Sequence, residues 1–505
     1  MLPPRSNPDA ASISPTILNQ LCYQYRYDGR KRLIEKRVPG KGWDYYVYNQ
    51  SDRPVLNQDS VQRIAGRWTF TKYDVFGREV MTGLYANTSS RTNLQTTLNA
   101  ENVLWETPVT TGIGYTNVAF PQSISSYLTI QYYDNYSFPG ASNYSYAGSN
   151  KTSGLLTGSL TYALGSTNVL LNVNYYDNEG RIAKTYRQHF QSGSININNY
   201  DEISNTYYFE GGLTASNRIH HNASSGNTTI AMRYEYDHVG RKLYTYEKIN
   251  NSAEVLLAEN RYNEIGQLKD KAQGDTIINN RKEYDHVGRE LYTYQQINTD
   301  PEVLLVENHY NEIGQLKEKS QGDNKQSTTF AYNERGWLTQ KSAPLFAMQL
   351  KYNDGTLPRF NGDIANQLWG TPGNLTNNFT YNYDALGRFI SGDTGTGIFE
   401  KDIAYDVMGN ILTLNRNGTG VQNYTYNPTV TGSRLNNVNG GATRTYSYDV
   451  NGNSTGDNTN TITYNLLNLP EKVSGRTAFI YTYDAIGRKL RSVIGGITTH
   501  YVDGI

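Results

Sequence analysis

The chain has 505 residues, 18% of them charged, and a formal net charge of zero. A neutral balance excludes the strongly basic footprint of a nucleic-acid binder and the acidic, aromatic-poor composition of a disordered chain. Hydrophobic residues make up 37%, but 44 of them are Tyr; exchanging those for the 46 Gly leaves about 37%, against about 45–50% for ordinary globular domains on that definition.

Tyr supplies contact area while its hydroxyl stays in water. The composition therefore predicts a thin, extended sheet with much of both faces wet or lightly covered. A single cysteine, Cys22, excludes an intrachain disulfide framework and a Cys-based metal cluster. Its expected place is that of a small buried hydrophobe. No apolar run reaches the roughly 18 residues of a spanning helix.

In chain order, residues 1–20 read as a flexible lead-in. MLPPRSNPDAASIS has no basic segment followed by an apolar one, so no secretion signal is read there. Residues 21–85 hold the first repeat units. Tyr27-Asp28-Gly29-Arg30 is an irregular version of the motif, and Tyr48-Asn49-Gln50-Ser51-Asp52-Arg53 puts Asp where Gly usually stands, which Asp tolerates better than most residues. Residues 86–170 lose the motif but stay rich in Ser, Thr, Asn, Tyr and Gly, and predict irregular strands and longer loops continuing the same sheet. Residues 171–505 form the main array, with a softer polar stretch over 190–230. Helical signals are nearly absent; only 362–370 (GDIANQLWG) suits a short helical turn. The last residues, Tyr501 to Ile505, read as the start of another unit, so a truncated array is expected.

The array is organised around a duplication. The stretch from Tyr236 to Asp275 returns, 48 positions later, as Tyr284 to Asp323, with 30 of 40 aligned residues identical. Fixed-period self-similarity signals an array of structural units. Within each copy a shorter unit recurs: Tyr, Asp or Asn, two variable residues, then Gly. In Glu283–Ile297, Tyr284 ends a strand, Asp285 opens a turn by bonding amides ahead of it, Gly288 takes the left-handed position, and Arg289 starts the returning strand. Tyr-turn starts fall at 236, 262, 284, 310, 332, 352, 383, 405, 426, 448, 464 and 483, the spacing of a two-stranded antiparallel unit. The fold class expected is all-β, a continuous array of antiparallel hairpins.

The full motif Tyr-Asp-x-x-Gly-Arg stands at Tyr73, Asp74, Gly77, Arg78; at Tyr176, Asp177, Gly180, Arg181; at Tyr236, Asp237, Gly240, Arg241; at Tyr284, Asp285, Gly288, Arg289; at Tyr383, Asp384, Gly387, Arg388; and at Tyr483, Asp484, Gly487, Arg488. Variants such as Tyr405-Asp406-Val407-Met408-Gly409-Asn410 keep the turn and lose the Arg, so the turn reads as required and the Arg as optional.

With this motif recurring about every 20 residues, the sequence resembles the YD-repeat, or RHS-repeat, family, and its opening is similar to RHS-type surface proteins of Bacteroidetes-like bacteria. The resemblance implies a hairpin strip that spirals into a hollow shell around a C-terminal toxin or effector encoded at the same locus. It implies a secreted or cell-surface location and a scaffold rather than an enzyme. Relatives include wall-associated proteins, the C component of insecticidal toxin complexes, and teneurins. Many members carry a D-P-x-G-type core segment that cuts the effector free; this sequence contains no such segment, so no catalytic residue carries over.

No H-E-x-x-H, phosphate-binding loop or G-x-S-x-G occurs. His220-His221 is an adjacent pair whose side chains point apart on a strand, and His238 and His286 are turn residues; no metal and no cofactor is expected. Asn replaces the motif Asp at 263, 311 and 333, which keeps turn bonding and removes charge, so the Asp is read as a turn former rather than a calcium ligand. The Tyr stripes Tyr244-Thr245-Tyr246 and Tyr292-Thr293-Tyr294 read as cross-strand pairs; the alternative function is a cell-surface module that binds carbohydrate or protein through them.

Overall fold

The computed structural model describes residues 12–502 apart from 149–150, 192, 274–277, 324, 419, 427–433, 442 and 477. The turn expected after Tyr426 and the last residues of the chain lie outside the described residues. The protein is all-β, built as one antiparallel meander. A 31-stranded sheet runs from Gln24–Tyr27 to Arg444–Thr445, and a 7-stranded sheet continues from Ser447–Tyr448 to Ile497–His500. Strands pair with their neighbours in sequence, as in Glu283 opposite Tyr292 and Tyr292 opposite Glu307. This follows from the repeat: turns every ten residues or so leave room only for hairpins.

The ribbon does not run straight. Its last units come back to lie against its first. Gly42 N–H donates to Val450 O (3.0 Å), Leu164 N–H to the carbonyl of Tyr483 (2.8 Å) and Ala485 N–H to the carbonyl of Tyr162 (2.8 Å). The Asn451 side chain accepts from Ser60 N–H, 391 positions away, and donates to Asp59 Oδ2 at 2.8 Å. Phe190 and Leu490 share a small apolar cluster with Ala163 and Leu170. The hairpin tips of one coil thus rest on the opposite edge of the coil before it.

Three expectations are corrected. The first units are not thin. Val47, Trp68, Phe70, Val80, Ile130 and Val173 are fully buried in a filled core. A helix, Arg91–Ala100, lays Leu94 and Leu98 on that face, its Gln95 bonds both backbone groups of Tyr48, and the loops that follow add Tyr115, Phe138 and Tyr144. Average composition hid this because the core comes from a helix and loops folding over one face of the sheet rather than from a higher apolar content.

Helices are also more numerous than the sequence suggested. Besides Arg91–Ala100 there are Pro15–Leu21 and Ser60–Ile64, each opened by a capping side chain, Ser14 and Asp59. By contrast, 362–370 is no helical turn: Asn366–Thr371 is a strand whose Trp369 pairs with Met348 and Asn377. Packing against Phe379, 5.1 Å away, outweighs the weak helical propensity of that stretch. Cys22 is buried. No helix among the described residues is long and apolar enough to cross a membrane.

Candidate functional site

Each motif residue has a separate task, and together they link unit to unit. At the turn of the second duplicate, Asp285 N–H donates to Arg289 O and Gly288 N–H to Asp285 O. Gly288 has φ 86°, a conformation a Cβ resists. The Asp285 carboxylate accepts from Val287 N–H (3.0 Å) and Arg289 N–H (2.9 Å) through one oxygen, and from Arg289 Nε (2.6 Å) through the other. The same cage recurs at Asp177, Asp237, Asp384 and Asp484, and Asp74 keeps the two bonds from Arg78 N–H and Nε. Gly77, Gly180, Gly240, Gly387 and Gly487 all take positive φ. Where Gly is missing, Lys31 and Asp52 hold that conformation instead.

The Tyr works backwards along the chain. Its hydroxyl donates to a carbonyl of the preceding unit: Tyr73 to Pro54 (2.8 Å), Tyr176 to Leu156 (2.7 Å), Tyr236 to Leu213 (2.8 Å), Tyr284 to Leu268 (2.6 Å) and Tyr383 to Ile364 (3.0 Å). The Arg works forwards. Held flat by its own Asp, it lies over the ring of the next Tyr in line. Arg78 sits 4.2 Å from the Tyr133 ring centre, Arg181 4.8 Å from Tyr207, Arg241 4.7 Å from Tyr262, Arg289 4.8 Å from Tyr310 and Arg388 4.6 Å from Tyr405. Each such contact contributes about 0.5–1 kcal/mol when exposed, and each hydroxyl bond about 0.5–1.5 kcal/mol. At Gln267, which stands where Arg would, a bond replaces the stack: its Nε2 donates to Gly288 O at 3.2 Å.

This ladder was only half legible. The turn chemistry follows from residue types. The links between units do not, because hydroxyl partners 16–23 positions apart and guanidinium–ring partners up to 55 apart meet only once register is set.

Electrostatics fit a neutral Tyr and a charged Asp. Burial pushes the Tyr73 phenol up to about 12, so it remains a donor throughout the physiological range. In Asp384 the backbone N–H of Arg388, opposed by burial and aided by the Arg388 guanidinium, holds the carboxyl below its usual range. In Asp134, the Arg78 guanidinium does so first.

Tyr244 and Tyr246 are neighbours on one face, as are Tyr292 and Tyr294. Arg233 covers the Tyr246 ring at 3.8 Å and Arg281 the Tyr294 ring at 3.9 Å, so one face of each ring is already occupied by a guanidinium. His238 and His286 are exposed at turn tips. His220 and His221 do point apart: His221 stacks on Tyr200 at 4.3 Å, while His220 Nδ1 meets Asp201 Oδ1 at 2.9 Å. What the sequence did not reveal is that His189 joins His220 there, 3.2 Å from the same carboxylate oxygen. A buried ion pair, Lys72 with Glu106 at 2.7 Å, ties a loop to the core; burial pulls the Lys72 ammonium below the usual lysine range although Glu106 opposes it.

No family model matches the sequence, and no curated protein matches it. Among solved structures, it is similar over 95% of its length to a chain of the Photorhabdus luminescens Tc holotoxin pore, at 12% identity and a TM-score of 0.34. It is similar over 97% to a chain of the TcdB2–TccC3 complex without the hypervariable C-terminal region, at 11% identity and a TM-score of 0.34. It spans about a third of those chains, 34% and 35%. The repeat motif and the continuous hairpin ribbon it builds match the RHS/YD-repeat pattern set out above.

Proposed function

We propose that this chain is a stretch of wall in an RHS/YD-repeat shell, a non-enzymatic scaffold that encloses an effector polypeptide from its own locus and helps deliver it from a secreted or surface-exposed particle. The observation that carries this reading is the return of the ribbon onto itself. A hairpin strip whose tips hydrogen-bond to the loops of the previous coil makes a wall joined across its seam.

The test is protease protection. The full gene product, with its downstream polypeptide, is treated with a non-specific protease and the downstream segment is followed by mass spectrometry. The expected result is survival of that segment while native and rapid digestion once the wall is unfolded. Digestion of the segment at the rate of the free polypeptide would overturn the proposal.

A further inference from the structure

We propose that His189, Asp201 and His220 form a binding site for one divalent transition-metal ion of the zinc class. The three residues come from three consecutive strands, Ile182–Gln191, Ser194–Tyr207 and Leu213–His221. Asp201 and His220 are direct cross-strand partners. An irregularity in the first strand, between Gln188 and Phe190, shifts the register there and brings His189 onto the same face. His189 Nε2, Asp201 Oδ1 and a nitrogen of His220 lie within 4.8 Å of one another. Metal–ligand bonds of about 2.0–2.2 Å set tetrahedral ligand atoms about 3.4 Å apart, close to the 2.9 and 3.2 Å found between each imidazole and the shared oxygen.

The second observation is an unmet need. Asp201 is fully buried and His189 is 3% exposed, yet neither ring nitrogen of His189 has a hydrogen-bond partner; its Nε2 has ion-pair reach to Asp201 without hydrogen-bond alignment. Leaving a buried ring nitrogen unpaired costs about 1–3 kcal/mol, and a metal ion bound at Nε2 would give that nitrogen a partner. The two imidazoles stack at 4.5 Å and need only tilt out of that stack to share an ion. Arg218 is paired to Oδ2 of Asp201, which orients the carboxylate and leaves Oδ1 to the imidazoles, the outer-shell arrangement common around ligating carboxylates. His189 also lines a cavity of about 620 Å³ with Arg488, Lys489, Leu490 and Tyr501. The site therefore stands beside the seam between coils, with His189 between the cavity and the Asp201 carboxylate.

The test uses the purified chain stripped with chelator and titrated with CoCl2. The expected result is a visible d–d spectrum of low-symmetry Co2+ at one ion per chain, displaced by Zn2+. His189→Gln and His220→Gln keep polarity and approximate size and avoid stranding Arg218, as Asp201→Asn would; each should weaken binding about tenfold or more, whereas His238→Gln, at an exposed turn, should leave it unchanged. Metal-free melting of each variant confirms that it is folded. Absence of the spectrum from the wild-type chain, or its survival undiminished in either His189→Gln or His220→Gln, would overturn the assignment.

Discussion

Residues 44–200 and residues 211–319 are made of the same hairpin, but only the first stretch has an interior. In the first, Trp68, Phe70 and Ile130 are sealed under the Arg91–Ala100 helix and the loops after it. In the second, none of the described residues from 211 to 319 is buried. There each unit is held to its neighbours by the sheet ladder, a Tyr hydroxyl reaching back and an Arg or Gln side chain reaching forward. The comparison teaches that the Tyr-Asp-x-x-Gly unit does not need a core. Its stability is close to a sum of unit and neighbour terms, as in other repeat arrays, while the covered region behaves as an ordinary packed domain.

The largest expected effects test that split directly. Trp68→Ala should cost about 3–5 kcal/mol, and Glu106→Ala a similar amount, because it strands a buried ammonium. Their counterparts in the bare ribbon, Tyr292→Ala and Arg233→Ala, should each cost under about 1 kcal/mol; the Arg233–Glu254 pair is about 40% exposed on both sides. Urea unfolding read by region-resolved hydrogen exchange distinguishes them. Equal costs in the two regions would break the comparison.

Next in size is the turn itself. Gly288→Val should cost about 1–2 kcal/mol through the left-handed backbone penalty, and an unchanged melting temperature would contradict the turn geometry. The back-reaching hydroxyl is smaller: Tyr284→Phe should cost about 0.5–1.5 kcal/mol. Tyr73→Phe should fall at the upper end of that span, since Tyr73 is buried and Tyr284 is not. If the order is reversed, burial does not govern the strength of these struts.

The smallest effect is with pH. Asp134 and Asp384 are held below the usual carboxylate value, so in the folded state they bind protons less readily than in the unfolded chain. Their stabilisation is complete above the unfolded value of about 3.9 and is lost as pH falls through the lower, folded values. Thermal melts should therefore be insensitive to these groups near neutrality and decline only below about pH 4. Asp384→Asn, which keeps the turn bonds, should flatten that decline.

The sequence by itself determined the hairpin unit, its direction and its period. Those depend on residues within one turn: an Asp that bonds amides two and four positions on, a Gly that takes positive φ, and strand formers on either side. It also carried the duplication and the all-β class. It did not reveal the helix Arg91–Ala100, whose weak amphipathic pattern makes sense only above a face already rich in aromatics. Nor did it show that His189 and His220, 31 positions apart in sequence, share one carboxylate.

Only tertiary structure decided where the ribbon has a core, which carbonyl each Tyr hydroxyl reaches, and that Asn451 meets Asp59 and Ser60. The physical reason is range. Turn and strand preferences are local and are written in neighbouring residues, whereas curvature accumulates as small twists over many strands, and contacts hundreds of residues apart follow from that sum rather than from any one stretch of chain.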